Sequence, residues 1–507
     1  MNPVTRRSLL VGSASVLTGA SLLSQSAVKR PNILFICSDQ HTGSALGASG
    51  HPIVKTPNLD RLAARGVSFL NAHSGNPVCV PGRASLMTGM FASDVGSYCN
   101  STPFDGRIPT WGNRLRDAGY HTWATGKLDL CPKDMGFQEV DTSHGHWDDP
   151  DITSLFRSPV CFRPKERENA DGDYKDRPAP DSPKAVRVID FLKQSSQLGK
   201  PWCAYAGFSK PHPKFTAAAR YRDLYPPEKM PLPKWPENYL EERHTMFQVL
   251  ANFKNIQVPV PDERVRRARS AYFGLITELD EIVGQVLDQL EKTGQIHNTL
   301  VVYTSDHGEM LGEHGLWLKN VLLQGAVHVP LIMAGAGLPS GKTVSAPVSA
   351  ADIGATLVDA AGTTRPKELR GHSLLPLALG QGSTHPGFAF AESHSEGNCT
   401  GSFMIRKGDH KYLYFTGDDP LLFDLKKDPG EFHNLAARKE FAPVVKELHG
   451  HLTSLLDPDA VTQAAFYKQA QVLDRLVKQS SKSDFYKMLV GRLGRAQARV
   501  LTDRCYA

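Results

Sequence analysis

Four apolar runs along the chain end in charged or metal-binding side chains. The runs are NILFICSD at 32–39, HTWATGKLD at 121–129, WCAYAGFSKPH at 202–212 and NTLVVYTSDHGE at 298–309. Each run is short and largely apolar, which predicts a buried strand. Between the runs, apolar residues recur every three or four positions at 56–66 and at 263–294, which predicts helices. Strands that alternate with helices predict an α/β fold whose buried strands run largely parallel.

The carboxyl ends of parallel strands meet at one edge of a sheet, and ligands bind outside that edge. The side chains expected there are Asp39, Gln40, Lys127, Asp129, His212, Asp306 and His307. Taken singly, each has an ordinary explanation, because an aspartate that follows a strand often caps the next helix. Four such strand ends together predict a functional site.

The stretch SGNPVCVPGRASLMTGM, at 74–90, holds Cys79 between two prolines and close to Arg83. The run after Pro81 predicts a short helix, with Pro in its first turn and Gly89 at its end. Cys79 would then lie at a helix N-terminus, where backbone N–H groups and the helix dipole favour an anion. The alternative is a buried structural cysteine in a proline-rich turn.

The candidate side chains divide into a metal-binding set and a cationic set. The first set is Asp39, Gln40, Asp306 and His307, and the second is Arg83, Lys127 and Lys319. Oxygen ligands suit a hard divalent cation such as Ca²⁺, and the cationic set would hold a tetrahedral dianion. A metal ion that faces a cationic pocket, with a nucleophile at a helix N-terminus, indicates transfer of a phosphoryl or sulfuryl group.

Composition narrows the class of protein but not its substrate. The 507 residues are 40% hydrophobic and 22% charged, which is typical of a soluble globular enzyme with a large core. The net charge of +6 slightly favours an acidic ligand and does not indicate nucleic acid. The basic cluster RVRRARS at 264–270 opens a predicted helix, where we expect it to form a solvated face.

Residues 1–27 are typical of a twin-arginine export signal. Arg6 and Arg7 precede a moderately apolar stretch rich in Gly, Ser and Ala. The stretch is too short for a convincing spanning helix, and no other segment is apolar enough to cross a membrane. We therefore expect a protein exported to the periplasm or the extracellular space. Its 8 cysteines are scattered, in a spacing that fits neither a zinc site nor a disulfide scaffold.

Three motifs surround the candidate site residues. They are CVPGRASLMTG at 79–89, PNILFICSDQH at 31–41 and SDHGEMLGEHGLWLKN at 305–320. The first resembles the signature Cys-x-Pro-x-Arg, followed by Thr-Gly, of the type I sulfatases of the alkaline-phosphatase superfamily. The other two resemble the metal-binding stretches of that family. The resemblance extends over residues 31–435, and the segment at 391–415 is most similar to the choline-sulfatase and iduronate-sulfatase side of the family.

The resemblance implies a large, mostly parallel central sheet between helices, followed by a smaller C-terminal domain built on a four-stranded antiparallel sheet. We expect the catalytic domain at 28–380 and the smaller domain at 381–460. A basic tail at 461–507 lies beyond the resemblance and is predicted to be helical. The tail either packs on the body of the protein, wraps a neighbouring subunit of a homo-oligomer, or lines the approach of a polyanionic substrate.

The resemblance also implies a modified residue. In this family a formylglycine-generating enzyme oxidises the signature cysteine to formylglycine (3-oxoalanine), whose hydrate attacks sulfur. Cys79 would be that residue and would complete the metal site, and Arg83 would steady the product. Ca²⁺ is the expected ion, with Mn²⁺ as the alternative, because the imidazole of His307 is an unusual ligand for Ca²⁺.

Lys127, His212 and Lys319 would bind the sulfate, and either of the latter two would protonate the leaving oxygen. The chain departs from the family pattern at two positions. Gly82 stands where Ser or Ala is commoner. Asp129 stands where many members have His in Gly-Lys-x-His, so its carboxylate either replaces that histidine as the base for sulfate release or only orients Lys127.

Three functions fit the sequence. The first is hydrolysis of a sulfate ester, of a sulfated carbohydrate or of a small organic sulfate. The second is hydrolysis of phosphodiesters or phosphonate monoesters on the same scaffold, since both kinds of ester share tetrahedral geometry. The third is an inactive exported protein that binds polyanions, which the intact signature and metal-binding set disfavour.

Overall fold

The computed structural model describes residues 30–130, 134–141, 151–157, 160–175 and 181–507, so the predicted export signal lies outside the described residues. The strands are β1 (Asn32–Asp39), β2 (Gly66–Phe69), β3 (Ala72–His73), β4 (His121–Gly126), β5 (Glu139–Asp141), β6 (Gly172–Tyr174), β7 (Trp202–Pro211), β8 (Phe215–Ala217), β9 (Thr299–Ser305), β10 (His328–Val329), β11 (Leu331–Ala334), β12 (Lys342–Val344), β13 (Val348–Ser349), β14 (Phe388–Ser393), β15 (Ser402–Lys407), β16 (His410–Phe415) and β17 (Asp418–Asp424). The helices are α1 (Pro57–Ala64), α2 (Cys79–Thr88), α3 (Trp111–Asp117), α4 (Ser182–Ser195), α5 (Tyr239–Glu242), α6 (Thr245–Phe253), α7 (Asp262–Lys292), α8 (Gln324–Val327), α9 (Ala350–Ala360), α10 (Leu375–Leu379), α11 (Ala442–Leu455), α12 (Pro458–Gln479), α13 (Lys482–Leu493) and α14 (Arg495–Cys505).

The central sheet has eight strands in the order β12-β2-β11-β9-β1-β7-β4-β5. The pairs β1–β9, β1–β7, β4–β7 and β4–β5 are parallel. Strand β11 runs antiparallel to both of its neighbours, β2 and β9. The predicted α/β fold with a large, mostly parallel sheet is therefore confirmed.

Side chains of β1 alternate between two layers of helices that cover the sheet. Leu34 shares an apolar cluster with Val283 of α7, whereas Phe35 shares another cluster with Leu86 of α2 and Leu357 of α9. All eight residues of β1 are buried, because a strand in the middle of such a sheet has both faces covered. This explains why β1 is an apolar run rather than an alternating one.

The four strands predicted from apolar runs are neighbours in the sheet, in the order β9-β1-β7-β4. Their carboxyl ends therefore lie side by side at one edge, as expected. The second predicted strand was too long, since β4 ends at Gly126 and does not extend to Asp129. Gly126 has a φ of 83°, and a Cβ atom there would overlap the carbonyl oxygen of Gly207, so the chain turns where the strands come closest.

The second sheet consists of β14, β15, β16 and β17 in sequence order, all antiparallel. Helix α11 covers it, with Leu448 and Leu452 in one apolar cluster with Phe403 and Leu422. This is the four-stranded antiparallel sheet implied by the sequence. The domain boundaries near residues 380 and 460 remain predictions.

Helices α12, α13 and α14 form the C-terminal tail and pack against their own chain. Phe485 and Leu501 belong to the same apolar cluster as α7. Arg492 forms an ion pair of 3.0 Å with Asp151, and Arg157 donates a hydrogen bond of 3.3 Å to Gln469. A homo-oligomer formed through this tail remains a prediction. Within the part of the chain that the structure describes, no helix is both long and apolar enough to span a membrane.

We predict that Gly207→Ala destabilises the protein by about 1–3 kcal/mol, because the added methyl group would overlap the backbone of Lys127. The amide of Lys127 donates a hydrogen bond of 3.0 Å to the carbonyl oxygen of Gly207, so the same change should displace Lys127. Urea denaturation measures the free energy of unfolding of the variant and of the wild type.

The control for Gly207→Ala is Gly450→Ala in helix α11, where a Cβ atom meets nothing within 4 Å. That variant should be more stable than the wild type by about 0.5–1 kcal/mol, because alanine favours the helix. Equal effects of the two substitutions would contradict the close approach of β7 and Lys127.

Candidate active site

Helix α2 begins at Cys79, and all ten of its residues are buried. Val78 precedes it in an extended conformation, and the helix ends at Thr88, before Gly89, which has a φ of 70°. Asn100 accepts a hydrogen bond of 3.1 Å from the backbone N–H of Val80 in the first turn. A Cβ atom at Gly82 would lie 2.6 Å from the carbonyl oxygen of Asn76, which explains why glycine occupies this position here.

The thiol of Cys79 lies among cationic and metal-binding side chains. Its Sγ atom is 2.8 Å from Nζ of Lys319, 3.3 Å from Nε2 of His307 and 3.7 Å from Nζ of Lys127. One ligand atom from each of Cys79, Asp39, Asp306 and His307 lies within 4.8 Å of the other three. The structure thus brings together the helix N-terminus and the ends of β1 and β9.

Arg83 is fully buried beneath this cluster. Its Nε atom lies 2.9 Å from Oδ2 of Asp306 and 3.7 Å from Oδ2 of Asp129, and an Nη atom lies 3.5 Å from Oδ2 of Asp39. Burial lowers the pKa of Arg83, but Asp306 and other anionic groups raise it more, so its pKa lies well above the usual value. Arg83 is therefore a permanent positive charge between carboxylates that would otherwise repel one another.

The carboxyl groups of Asp39 and Asp306 have pKa values shifted in opposite directions. Burial and the neighbouring Cys79 raise the pKa of Asp39, but Lys127 and other cations lower it more, and the net pKa is below the usual range. Burial raises the pKa of Asp306, and the charge of Asp39 adds to the rise, which Arg83 only partly offsets. Oxygen atoms of the two buried carboxylates lie within 4.8 Å of each other. Their mutual repulsion favours binding of an additional cation between them.

Two buried oxygens in the cluster, Oδ1 of Asp39 and Oε1 of Gln40, receive no hydrogen bond from the described residues. The amide nitrogen of Gln40 is hydrogen-bonded to Glu309, which fixes the orientation of the amide. The backbone N–H of Gln40 donates a bond of 3.1 Å to Oδ1 of Asp306. Oxygen atoms without partners, beside a carboxylate and an imidazole, fit a divalent cation.

Lys127 and Lys319 both supply positive charge close to Sγ of Cys79. Lys127 forms an ion pair with Asp39 and lies 3.2 Å from Oδ2 of Asp129. Burial lowers the pKa of both lysines, but their anionic neighbours raise it more, so the pKa of each lies above the usual value. Both lysines therefore remain charged at neutral pH and can bind a tetrahedral anion.

The structure places the last two candidate residues next to the cluster. Asp129 is buried with a φ of 52°, and it reaches Lys127 through a left-handed turn rather than along a strand. His212 follows β7, and its Nδ1 atom lies 2.7 Å from the carbonyl oxygen of Pro213. His212 is close enough to Asp39 to contribute to the lowered pKa of that carboxyl group.

Two supporting residues were missed from the sequence. The hydroxyl group of Tyr205 lies 2.8 Å from an Nη atom of Arg83 and 3.0 Å from the carbonyl oxygen of Lys127. Its position inside an apolar run concealed this role. Glu309 holds Gln40, and the only signal for it is its place two residues after His307.

Comparison with known families gives two matches along the chain. The sulfatase family model matches residues 31–363, which include every candidate site residue. A second model, described as N-sulphoglucosamine sulphohydrolase, C-terminal, matches residues 312–457. Helices α12, α13 and α14 lie beyond both matches.

Individual proteins agree with the family matches. The chain is 33% identical to choline-sulfatase of Rhizobium meliloti over 435 residues, which cover 80% of this chain and 82% of that protein. It is 29% identical to arylsulfatase K of Danio rerio over 486 residues, or 92% of this chain and 90% of the relative. The crystal structure of the phosphonate monoester hydrolase of Agrobacterium radiobacter superposes with a TM-score of 0.70 at 27% identity, covering 84% of this chain and 95% of that one. The chain therefore belongs to the sulfatase family, with its alkaline-phosphatase-like fold.

Proposed function

We propose that the protein is a formylglycine-dependent sulfatase that hydrolyses a sulfate ester. The observation that carries the proposal is the position of Cys79 at the first residue of α2, with Asp39, Asp306 and His307 around its Sγ atom. Pro81 and Arg83 complete the signature that the maturation enzyme of the family reads. Membership of the sulfatase family supports the same chemistry.

The sulfur of Cys79 marks the position where the oxygens of formylglycine would lie, and the hydrate of that residue supplies the nucleophile for attack on sulfur. Cys79 is 1% exposed, and Pro81 and Arg83 are also buried. The signature is therefore accessible to a formylglycine-generating enzyme only before the chain folds. We propose that maturation precedes export through the twin-arginine signal at residues 1–27.

Lys127 and Lys319 bind the sulfate group, because both ammonium groups lie close to Sγ of Cys79. Their charges offset the negative charge of the sulfate oxygens and hold the ester next to the nucleophile. Lys319 or His212 delivers a proton to the leaving oxygen as the ester bond to sulfur breaks. Arg83 opposes the rise that burial and Asp39 cause in the pKa of Asp306.

Asp39, Gln40, Asp306 and His307 would hold a divalent cation, and the bound ion would supply positive charge next to the sulfate. Three of these residues offer oxygen ligands, which favours Ca²⁺. The imidazole of His307 favours Mn²⁺ as the alternative.

The second candidate function is hydrolysis of a phosphonate monoester or phosphodiester. The structural similarity to a phosphonate monoester hydrolase favours it, at 27% identity and a TM-score of 0.70. The charges of Lys127 and Lys319 suit both kinds of ester, because sulfate and phosphonate are tetrahedral anions. The names of the sequence relatives favour the sulfate ester.

The substrate class follows from the relatives and from the C-terminal match. The match to the C-terminal part of N-sulphoglucosamine sulphohydrolase supports a sulfated saccharide, and the similarity to choline-sulfatase supports a small organic sulfate. We propose one of these two classes. A screen of sulfated sugars together with choline sulfate would separate them.

We predict that Cys79 becomes formylglycine in a host that contains the maturation enzyme. Peptide mass spectrometry should show the aldehyde or its hydrate at residue 79. Cys79→Ala should abolish turnover and leave the free energy of unfolding nearly unchanged, because the thiol lies in the site. The control is Cys203→Ala in β7, which removes a fully buried thiol from the sheet and should keep the activity. Full activity with an unmodified Cys79 thiol would overturn the proposed function.

We predict that Asp306→Ala removes both the bound metal and the activity, since one side of the cation site is lost. Elemental analysis of the purified protein measures the metal, and chelation of the wild type should reduce turnover in parallel. Asp280→Ala is the control and should keep the bound metal. Asp280 is a buried aspartate outside the site, and its Oδ1 atom accepts a hydrogen bond of 2.7 Å from the N–H of Leu59 in helix α1. A fully active wild type that contains no metal would refute this site.

We predict that Asp129→Asn lowers kcat by about 100-fold or more and lowers KM in parallel, because the carboxylate acts as the base for sulfate release and the covalent sulfate ester accumulates without it. The first turnover should then survive as a burst of one leaving group per active site. Stopped-flow kinetics with an aryl sulfate measures the burst. The control is Asp141→Asn, which removes an exposed carboxylate from β5. A raised KM without a burst would instead assign Asp129 to the orientation of Lys127.

A further inference from the structure

The turn that carries Lys319 has an unusual backbone. Leu318 has a φ of 65° and Asn320 has a φ of 81°, so the residues on both sides of Lys319 are left-handed. Neither is a glycine, and such conformations persist only where surrounding groups hold them. The groups that hold this turn also determine where the Lys319 ammonium group lies.

The first group is Glu309, whose Oε1 atom accepts a hydrogen bond of 2.6 Å from the N–H of Leu318. The second is Lys254, which directly follows helix α6 and is 1% exposed. Its Nζ atom donates hydrogen bonds of 2.8 Å to the carbonyl oxygen of Trp317 and 2.5 Å to that of Lys319. Lys254 therefore binds the backbone on both sides of the left-handed Leu318.

The fixed turn directs the Lys319 side chain into the active site. Its Nζ atom lies 2.8 Å from Sγ of Cys79 and 3.0 Å from Nε2 of His307. Among the described residues, no hydrogen bond or ion pair joins Lys254 to Cys79 or His307. Its hydrogen bonds connect it to the site through the backbone of the turn.

Burial lowers the pKa of Lys254 to about 7, although nearby Glu166, Glu309 and Glu396 raise it. An ammonium group has three N–H donors, and a neutral amine still has two. The two carbonyl oxygens therefore keep their donors in either protonation state. A methionine of similar size would leave both carbonyl oxygens buried without a partner.

We infer that Lys254 is a positioning residue for Lys319, acting through the carbonyl groups of the turn and not through contact with the substrate. The inference rests on the proposed function in assigning Lys319 to the sulfate group. It adds Lys254, the residue that directly follows α6, to the residues that determine sulfate binding. No pattern in the sequence indicates this role for Lys254.

A double-mutant cycle tests the inference. Lys254→Met alone should lower kcat/KM for an aryl sulfate by about 10- to 100-fold, because a shift of about 1 Å in a binding group has effects of this size. Added to Lys319→Met, the same substitution should lower kcat/KM by less than about twofold, since the group it positions is already gone. Losses that multiply in the double variant would overturn the inference.

The control replaces a second fully buried lysine, together with the carboxylate that it pairs with. Lys411 lies 2.6 Å from Oε1 of Glu431, between the second sheet and α8, so Lys411→Met together with Glu431→Gln removes a buried ammonium without leaving an unpaired carboxylate. It should leave kcat/KM unchanged. Thermal unfolding confirms that each variant is folded. If Lys254→Met does not fold, Lys254→Gln, which keeps an amide donor, takes its place in the cycle.

Crystal structures of the wild type and the Lys254 variant give a readout that does not need activity. The turn at 317–320 should shift in the variant and withdraw Nζ of Lys319 from residue 79. An unchanged turn would overturn the inference whatever the kinetics show. A matured wild type that hydrolyses no sulfate ester would defeat the proposed function instead, and the structures would still decide the role of Lys254.

Discussion

The ion pairs of Arg83 hold the rest of the site together. Its guanidinium is fully buried and lies 2.9 Å from Asp306, which follows β9, and 3.5 Å from Asp39, which ends β1. Without a buried cation, these carboxylates would repel each other in a region of low dielectric. Arg83 is also the last residue of the Cys79 signature, so the same side chain fixes α2 to the ends of β1 and β9.

The sheet determines which groups can meet around Arg83. Parallel strands β9, β1, β7 and β4 are adjacent, so their carboxyl ends deliver carboxylates, a lysine and histidines to one edge. Helix α2 brings Cys79 to the same place. The two lysines then approach the thiol from separate parts of the chain, Lys127 from the turn after β4 and Lys319 from a turn held by Glu309 and Lys254.

The sequence was sufficient where burial and spacing decide the structure. The strand 32–39 is β1 residue for residue, and Asp306 follows β9 as expected, because continuous apolar runs leave few alternatives. The sequence was insufficient where contacts between distant segments determine the backbone conformation. The left-handed turn after Gly126 depends on the neighbouring strand, and the bonds from Lys254 to the turn at 317–320 join segments more than sixty residues apart. Neither has a local pattern in the sequence.

The central claim is that this site transfers a sulfuryl group to water in preference to a phosphonyl or phosphoryl group. The most direct measurement compares kcat/KM for an aryl sulfate with that for the matching aryl phosphonate and diester, on one preparation with a known formylglycine content. Hydrolysis of the sulfate ester with the highest kcat/KM is the predicted result. A higher kcat/KM for the phosphonate monoester or the diester would contradict the account.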